Sequence, residues 1–150
     1  YGPGDNFDLE TSHVIPALIC KFVSALDDGR DEVEVWGTGA ASREFLYVDD
    51  AAEGILLGAE HYDGPEPVNL GADRETPISE MAEQLLELVG FECELRWDTS
   101  KPDGQPRRRV DPGRAADEFG FIARVPLGQG LARTLEGSRA HRDEAEARPA

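Results

Sequence analysis

Lysine is nearly absent from this 150-residue chain, which has Lys21 and Lys101 and no others. Methionine is scarcer still: Met81 stands alone and the chain opens on Tyr1, so an upstream portion is expected although the length suits one domain. Two cysteines, Cys20 and Cys93, lie far from any Cys-x-x-Cys spacing, and three scattered histidines complete no zinc pattern. No metal site is therefore expected, and a reducing cytoplasmic compartment is the default. Long apolar runs are missing too. The stretch from Val14 to Cys20 is interrupted by Pro16 and falls far short of the roughly 20 residues a membrane helix needs. No basic, apolar, small-residue leader opens the chain, so neither a membrane span nor a signal peptide is expected. Finally, there is no G-x-G-x-x-G and no P-loop. Gly37-Thr38-Gly39 is not the start of one, because position 42 is Ser and the segment that follows reads as a strand.

What the chain does have is acid. Its 31 Asp and Glu against 15 Lys and Arg give a formal charge of −16. Such a surface repels phosphate backbones, which argues against nucleic acid and anionic membranes as partners. Dense carboxylates with almost no lysine also suit a salt-adapted, halophile protein, because salt screens their mutual repulsion. A hydrophobic share of 39% before glycine is counted is ordinary for a globular chain.

Periodicity divides the chain into alternating elements. Ile15, Leu18, Ile19, Phe22, Val23 and Leu26 predict a helix over 14–26 with Pro16 in its first turn. Val33 to Trp36 and Arg43 to Val48 read as strands joined by the Gly37-Thr38-Gly39 turn. A buried helix over 51–60, capped by Asp49 or Asp50, follows, and then a strand over 67–70. Thr76 as a cap and Pro77 as the first helical residue predict a helix ending at Gly90. A strand over 93–97, a Pro/Gly/Arg loop over 100–109, a short helix after Asp111 and a helix over 127–135 complete the pattern. The charged segment 137–150 reads as disordered. Strands alternating with helices indicate an α/β fold.

Three features carry possible chemistry. Lys101 to Arg114 holds five basic and two acidic residues, a local reversal of charge suited to an anion because guanidinium forks pair with phosphate oxygens. The plain alternative is that these arginines pair with the abundant surface carboxylates. His13, at a predicted helix start, is either a general acid or base or a structural cap. Arg43, in a strand beside Phe45, is either a ligand clamp or one half of a salt bridge.

Taken in order, YGPGDNF, SHVIPAL, VWGTG, SREFLYVDDAA, VNLG and SKPDGQPRR closely resemble the C-terminal half of the GDP-L-fucose synthase family, within the extended short-chain dehydrogenase/reductase superfamily. The match runs from Tyr1 to about Leu135. SHVIPAL and SKPDGQPRR are its specific parts, while YGP and the Arg-x-Phe-x-x-Val-x-Asp pattern are shared more widely among nucleotide-sugar epimerases and dehydratases.

The resemblance implies a substrate-binding half over residues 1–136, made of the C-terminal lobe and the last Rossmann elements, with the N-terminal Rossmann core absent. It implies a cytoplasmic homodimeric enzyme that epimerises C3 and C5 of GDP-4-keto-6-deoxy-D-mannose and reduces C4 with NADP as cofactor. By resemblance His13 is the epimerase acid, and Lys21, Trp36 and Arg43 contact the GDP-sugar. At Lys21 the family often has arginine. Lys101 and Asp103 fall near the GDP end, and Cys20 and Cys93 match no catalytic position. The family's NADP loop and reductase residues lie upstream of YGP, so the chain alone is expected to be inactive and to expose apolar helix faces that the other half would cover. Another nucleotide-sugar epimerase or dehydratase, and a non-catalytic nucleotide-sugar-binding module or remnant, are the alternatives.

Overall fold

The structure, a computed structural model, describes residues 1–140. Helix α1 (Val14–Asp27) buries Ile15, Pro16, Leu18, Ile19, Phe22 and Ala25, the stripe its spacing predicts. Strand β1 (Glu32–Trp36) alternates outward glutamates with buried Val33 and Val35. It pairs in parallel with β4 (Glu94–Asp98), in a register that sets Val33 opposite Leu95 and Trp36 opposite Asp98. Helix α3 (Ile78–Val89) presents Met81, Ala82, Leu85 and Val89 to this layer and ends at Gly90, whose φ of +74° makes the left-handed stop. It packs on α1 and on α5 (Leu127–Ala140), and Phe22, Met81, Leu85 and Leu131 form the centre of the core.

A second, smaller sheet has the order β3-β2-β5. In it β2 (Ser42–Glu44) runs antiparallel to β3 (Glu75–Pro77) and parallel to β5 (Arg107–Arg108). Helix α2 (Val48–His61) packs on α4 (Gly113–Phe119). A Cβ at Gly54 would lie within 3.0 Å of both Phe121 and Leu70, so this close approach requires glycine.

The α/β class stands, with several elements shifted. The strand expected over 43–48 stops at Glu44, because Leu46 and Val48 bond instead to Tyr1: its amino group donates to the Leu46 carbonyl and its carbonyl accepts the Val48 N–H. Helix α2 accordingly starts early, with Tyr47 at the N-cap and no side-chain cap. Asp49 and Asp50 lie inside the first turn, where the buried Asp50 carboxylate accepts the Val125 N–H at 2.9 Å. No strand forms over 67–70, where the Pro67 carbonyl accepts from Arg114 and the Asn69 amide donates to the Asp111 carbonyl. Thr76 does not cap α3. It is buried in β3 opposite Arg43, and Pro77 takes the N-cap position rather than the first helical one. Residues 137–140, expected to be disordered, continue α5, while 141–150 lie outside the described residues.

The largest difference concerns α2, whose composition suggests burial. Only Asp50 and Gly54 are buried in it, while Val48, Ala52, Ile55, Leu56 and Ala59 form an uncharged stripe facing outward, with Ile55 63% and Leu56 64% exposed. Residues 48, 52, 55, 56 and 59 share one helical face, so this is a continuous apolar surface rather than scattered residues.

Candidate functional site

Parallel pairing of β1 and β4 brings their C-terminal ends to the same edge, where ligand crevices of α/β sheets form. The 37–41 turn and the 99–106 loop leave from that edge side by side. Gly37 and Gly39 have φ of +84° and +76°, and the Gly37 N–H donates to the Asp98 carbonyl at 2.9 Å. Asp98 in turn accepts the Ser100 hydroxyl at 2.6 Å and the Ser100 N–H at 3.0 Å, bonds that hold its carboxyl below the usual range.

Trp36, 63% exposed, is the centre of this edge. The ammonium groups of Lys21 and Lys101 each lie 5.4 Å from its ring centroid. Both lysines of a chain carrying −16 therefore converge on one exposed indole. Lys21 reaches it from α1, anchored by a 3.0 Å hydrogen bond from Nζ to the Glu34 carbonyl. Lys101 comes from the loop. Asp103, further along that loop, accepts the Thr38 N–H at 2.6 Å and the Thr38 hydroxyl at 2.7 Å, which lowers its pKa. Arg43 leans over the same loop, with Nη1 donating to the Ser42 carbonyl at 2.7 Å and Nη2 close to Gly104.

His13 occupies the N-cap of α1, yet its side chain makes no capping hydrogen bond. The structural-cap reading thus loses its support. Lys21 lies eight residues further along α1, about 12 Å of rise, so imidazole and ammonium are presented along one helix. Beside His13, the Ser12 hydroxyl oxygen is buried with no hydrogen-bond partner among the described residues.

The arginine-rich loop behaves differently from an anion cradle. Arg107 pairs with Glu75 at 2.7 Å, Arg109 pairs with Asp73, and Arg114 donates to the Pro67 carbonyl. Glu75, held by the Ser42 hydroxyl and then by Arg107, has its pKa lowered. A depression of about 480 Å³ is lined by Arg107, Arg109, Val110 and Asp111, not by Trp36 or His13. Both of its arginines already pair with carboxylates, so the carboxylate alternative holds for Arg107 and Arg109.

Sequence reasoning missed Thr38, whose hydroxyl and amide seat Asp103, and Tyr1, whose ring packs edge-on against Phe45 and Tyr47 at 6.3 and 5.6 Å. The Tyr1 hydroxyl donates to the Leu127 carbonyl at 3.4 Å, and burial pushes its pKa up. A signal for Thr38 existed in Gly-Thr-Gly after a strand, but its partner lies 65 residues away.

The α/β fold, with parallel strands ending at this edge, is shared with known proteins. The NAD dependent epimerase/dehydratase family model matches residues 1–71. The chain is 49% identical over 136 residues to "Probable GDP-L-fucose synthase 1" of Oryza sativa subsp. japonica, covering 91% of this chain and 41% of the relative. It is 37% identical to the GDP-L-fucose synthase of Escherichia coli K12, covering 91% and 45%. A crystal structure of a GDP-L-fucose synthetase from Naegleria fowleri bound to NADP superimposes with a TM-score of 0.89 at 29% identity, over 95% of this chain and 45% of that one. The chain thus spans less than half the length of these relatives. No helix among the described residues is long and apolar enough to cross a membrane.

Proposed function

We propose that the chain is the substrate-binding portion of a GDP-L-fucose synthase-like enzyme, which epimerises C3 and C5 of GDP-4-keto-6-deoxy-D-mannose and reduces C4 with NADPH. The observation that carries this reading is the placement of His13, uncapped, on the helix that also presents Lys21 to the Lys21–Trp36–Lys101 cluster. The indole offers a face to the nucleotide sugar. The two ammonium groups and Arg43 supply the positive charge a diphosphate needs in an otherwise acidic chain. A ketone at C4 acidifies the C3 and C5 protons, so a base removes each one and His13 returns it on the opposite face.

The glycine turn at 37–39 is a poor cradle for NADP. The Gly37-Thr38-Gly39 turn leads into strand β2 instead of a helix, and its amide and hydroxyl donors are taken by the Asp103 carboxylate, which would repel a pyrophosphate. We assign the cofactor and the hydride step to the remaining portion of the enzyme, which rests on the apolar stripe of α2. The stripe and the coverage of less than half of each relative support that arrangement. A cytosolic homodimer belongs to the same proposal. As an isolated chain, it binds the GDP-sugar without turning it over, since the cation-flanked indole is complete within residues 1–140.

The test is His13→Asn in the full-length protein. Solvent deuterium incorporation at C3 and C5 should be suppressed while reduction of an already epimerised ketone continues. Unchanged incorporation would refute the acid role.

A further inference from the structure

We infer that Asp8 is a positioning residue for His13: its carboxylate caps a single helical turn over residues 8–12 and so fixes the point from which the imidazole is presented. The turn leads directly into His13, whose own side chain makes no capping hydrogen bond, so the backbone on either side sets its place. Asp8 Oδ1 accepts the Glu10 N–H at 3.0 Å, the Thr11 N–H at 2.9 Å and the Thr11 hydroxyl at 2.8 Å. The Asp8 carbonyl accepts the Ser12 N–H at 2.8 Å. That is the bonding of a helix N-cap, in which the side chain satisfies amides two and three residues on and the carbonyl takes the first intrahelical bond.

One turn of helix is unfavourable alone, because it fixes several dihedrals for one hydrogen bond. Packing does not make up the difference: residues 8–11 are all exposed, Leu9 by 60%. The chain is anchored to the core at Phe7, whose carbonyl accepts the Cys20 thiol at 3.2 Å, and again at Val14 and the buried Ile15. Between those anchors Asp8 is the hub and Asn6 the brace. The Asn6 side-chain carbonyl accepts the Asp8 N–H at 3.1 Å, and its amide donates to the Thr11 hydroxyl at 2.9 Å, which leaves that hydroxyl's proton for the Asp8 carboxylate. The Ser12 hydroxyl takes no part, since it has no hydrogen-bond partner among the described residues.

Backbone ¹⁵N relaxation on the chain reads the turn directly. The Glu10, Thr11 and His13 amides should show rigid order parameters of about 0.85, and Asp8→Ala should bring all three below about 0.6 while Ile19 and Phe22 stay rigid. A His13 amide as rigid in Asp8→Ala as before would overturn the inference. Asp8→Asn, which keeps the accepting oxygen and ranks with Asp as a cap, should restore the rigidity. If it does not, the effect is one of charge and the capping role is overturned. Should α1 loosen in Asp8→Ala as well, Thr11→Val, which removes only the hydroxyl contact, decides: order lost at His13 with α1 rigid supports the role, and no loss refutes it.

The consequence for turnover rests on the epimerase-acid reading above and is measured separately, in the full-length protein. Asp8→Ala should slow deuterium incorporation at C3 and C5 by about ten- to a hundredfold, the loss that follows when a reacting group is displaced by about 1 Å. KM and the reduction of an already epimerised ketone should hold, because Lys21, Trp36 and Arg43 lie outside the turn. Asp8→Asn should recover most of the rate. A raised KM with the incorporation rate kept would make the turn a binding element and overturn the role. So would unslowed incorporation in Asp8→Ala where His13→Asn suppresses it. If His13→Asn leaves incorporation unchanged, the acid reading falls, while the order parameters still decide whether Asp8 holds the turn.

Discussion

Replacing Ile55 and Leu56 together by serine should leave the isolated chain nearly as stable as before and abolish its tight pairing with a dinucleotide-binding half. Both side chains are about two-thirds exposed, at 63% and 64%, so in the isolated chain little of either is shielded from water. Exposed substitutions of this kind typically change stability by no more than about 0.5 kcal/mol each, and the urea midpoint should barely move. Covering the stripe reverses the balance. Fully burying an Ile or Leu contributes about 1.5–3 kcal/mol, and two-thirds of that is about 1–2 kcal/mol per residue. Losing both costs about 2–4 kcal/mol of association, a weakening of roughly 30- to 1000-fold. The assay mixes the chain with the separately produced remaining portion of a relative such as the rice protein and follows complex formation by sedimentation. Two results would refute the reasoning: a large drop in the stability of the isolated chain, which would make the stripe part of its own core, or unchanged association.

Three further outcomes are expected. Hydrogen bonds depress the carboxyl pKa values of Asp8 (Thr11), Glu75 (Ser42, then Arg107), Asp98 (Ser100) and Asp103 (Thr38). Depressed folded-state values contribute stability above the ordinary carboxylate range, lost as pH falls below about 4 through the folded values. Urea midpoints measured in 1 M KCl, where repulsion is screened, should therefore fall between pH 5 and 3, and fall less in Asp8→Asn/Asp98→Asn; an equal fall in both proteins would remove these groups as the cause. If the acidity is an adaptation to salt, the thermal midpoint should rise on adding molar KCl, since a charge of −16 is then screened within a few ångströms; identical midpoints would sink that reading. Arg43→Ala should weaken GDP binding at least about tenfold, the lower bound for a charge-assisted bond of about 1.5–3 kcal/mol, and equal affinities in calorimetry would count against the clamp.

Local pattern accounts for much of what was legible in advance. The stripe from Ile15 to Leu26 specified α1 because a 3.6-residue period places those side chains on one face, and Gly90 specified the end of α3 because its left-handed backbone costs glycine little. The motif order pointed to the family whose model matches residues 1–71, and α/β alternation followed from where Gly and Pro punctuate the chain. Misplaced boundaries share one cause, competition from a remote partner. Tyr1 takes the hydrogen bonds that would have continued β2, and pairing with Ser42 and Arg43 draws Thr76 and Pro77 into a strand. The arginine loop illustrates the same limit, since its composition fits an anion cradle until Glu75 and Asp73 are found against it.

Residue order thus settled the chemistry that depends on neighbours along the chain: helix faces, turns, net charge and the motif carrying His13. Tertiary structure alone decided which charges meet. Lys21 and Lys101 stand 80 positions apart, and only the parallel register of β1 and β4 brings both ammonium groups to one indole. It also decided that the apolar stripe of α2 faces outward, which composition reads as burial. Hydrophobic spacing specifies that a face must be covered, but the partner that covers it is set by how the elements pack in space.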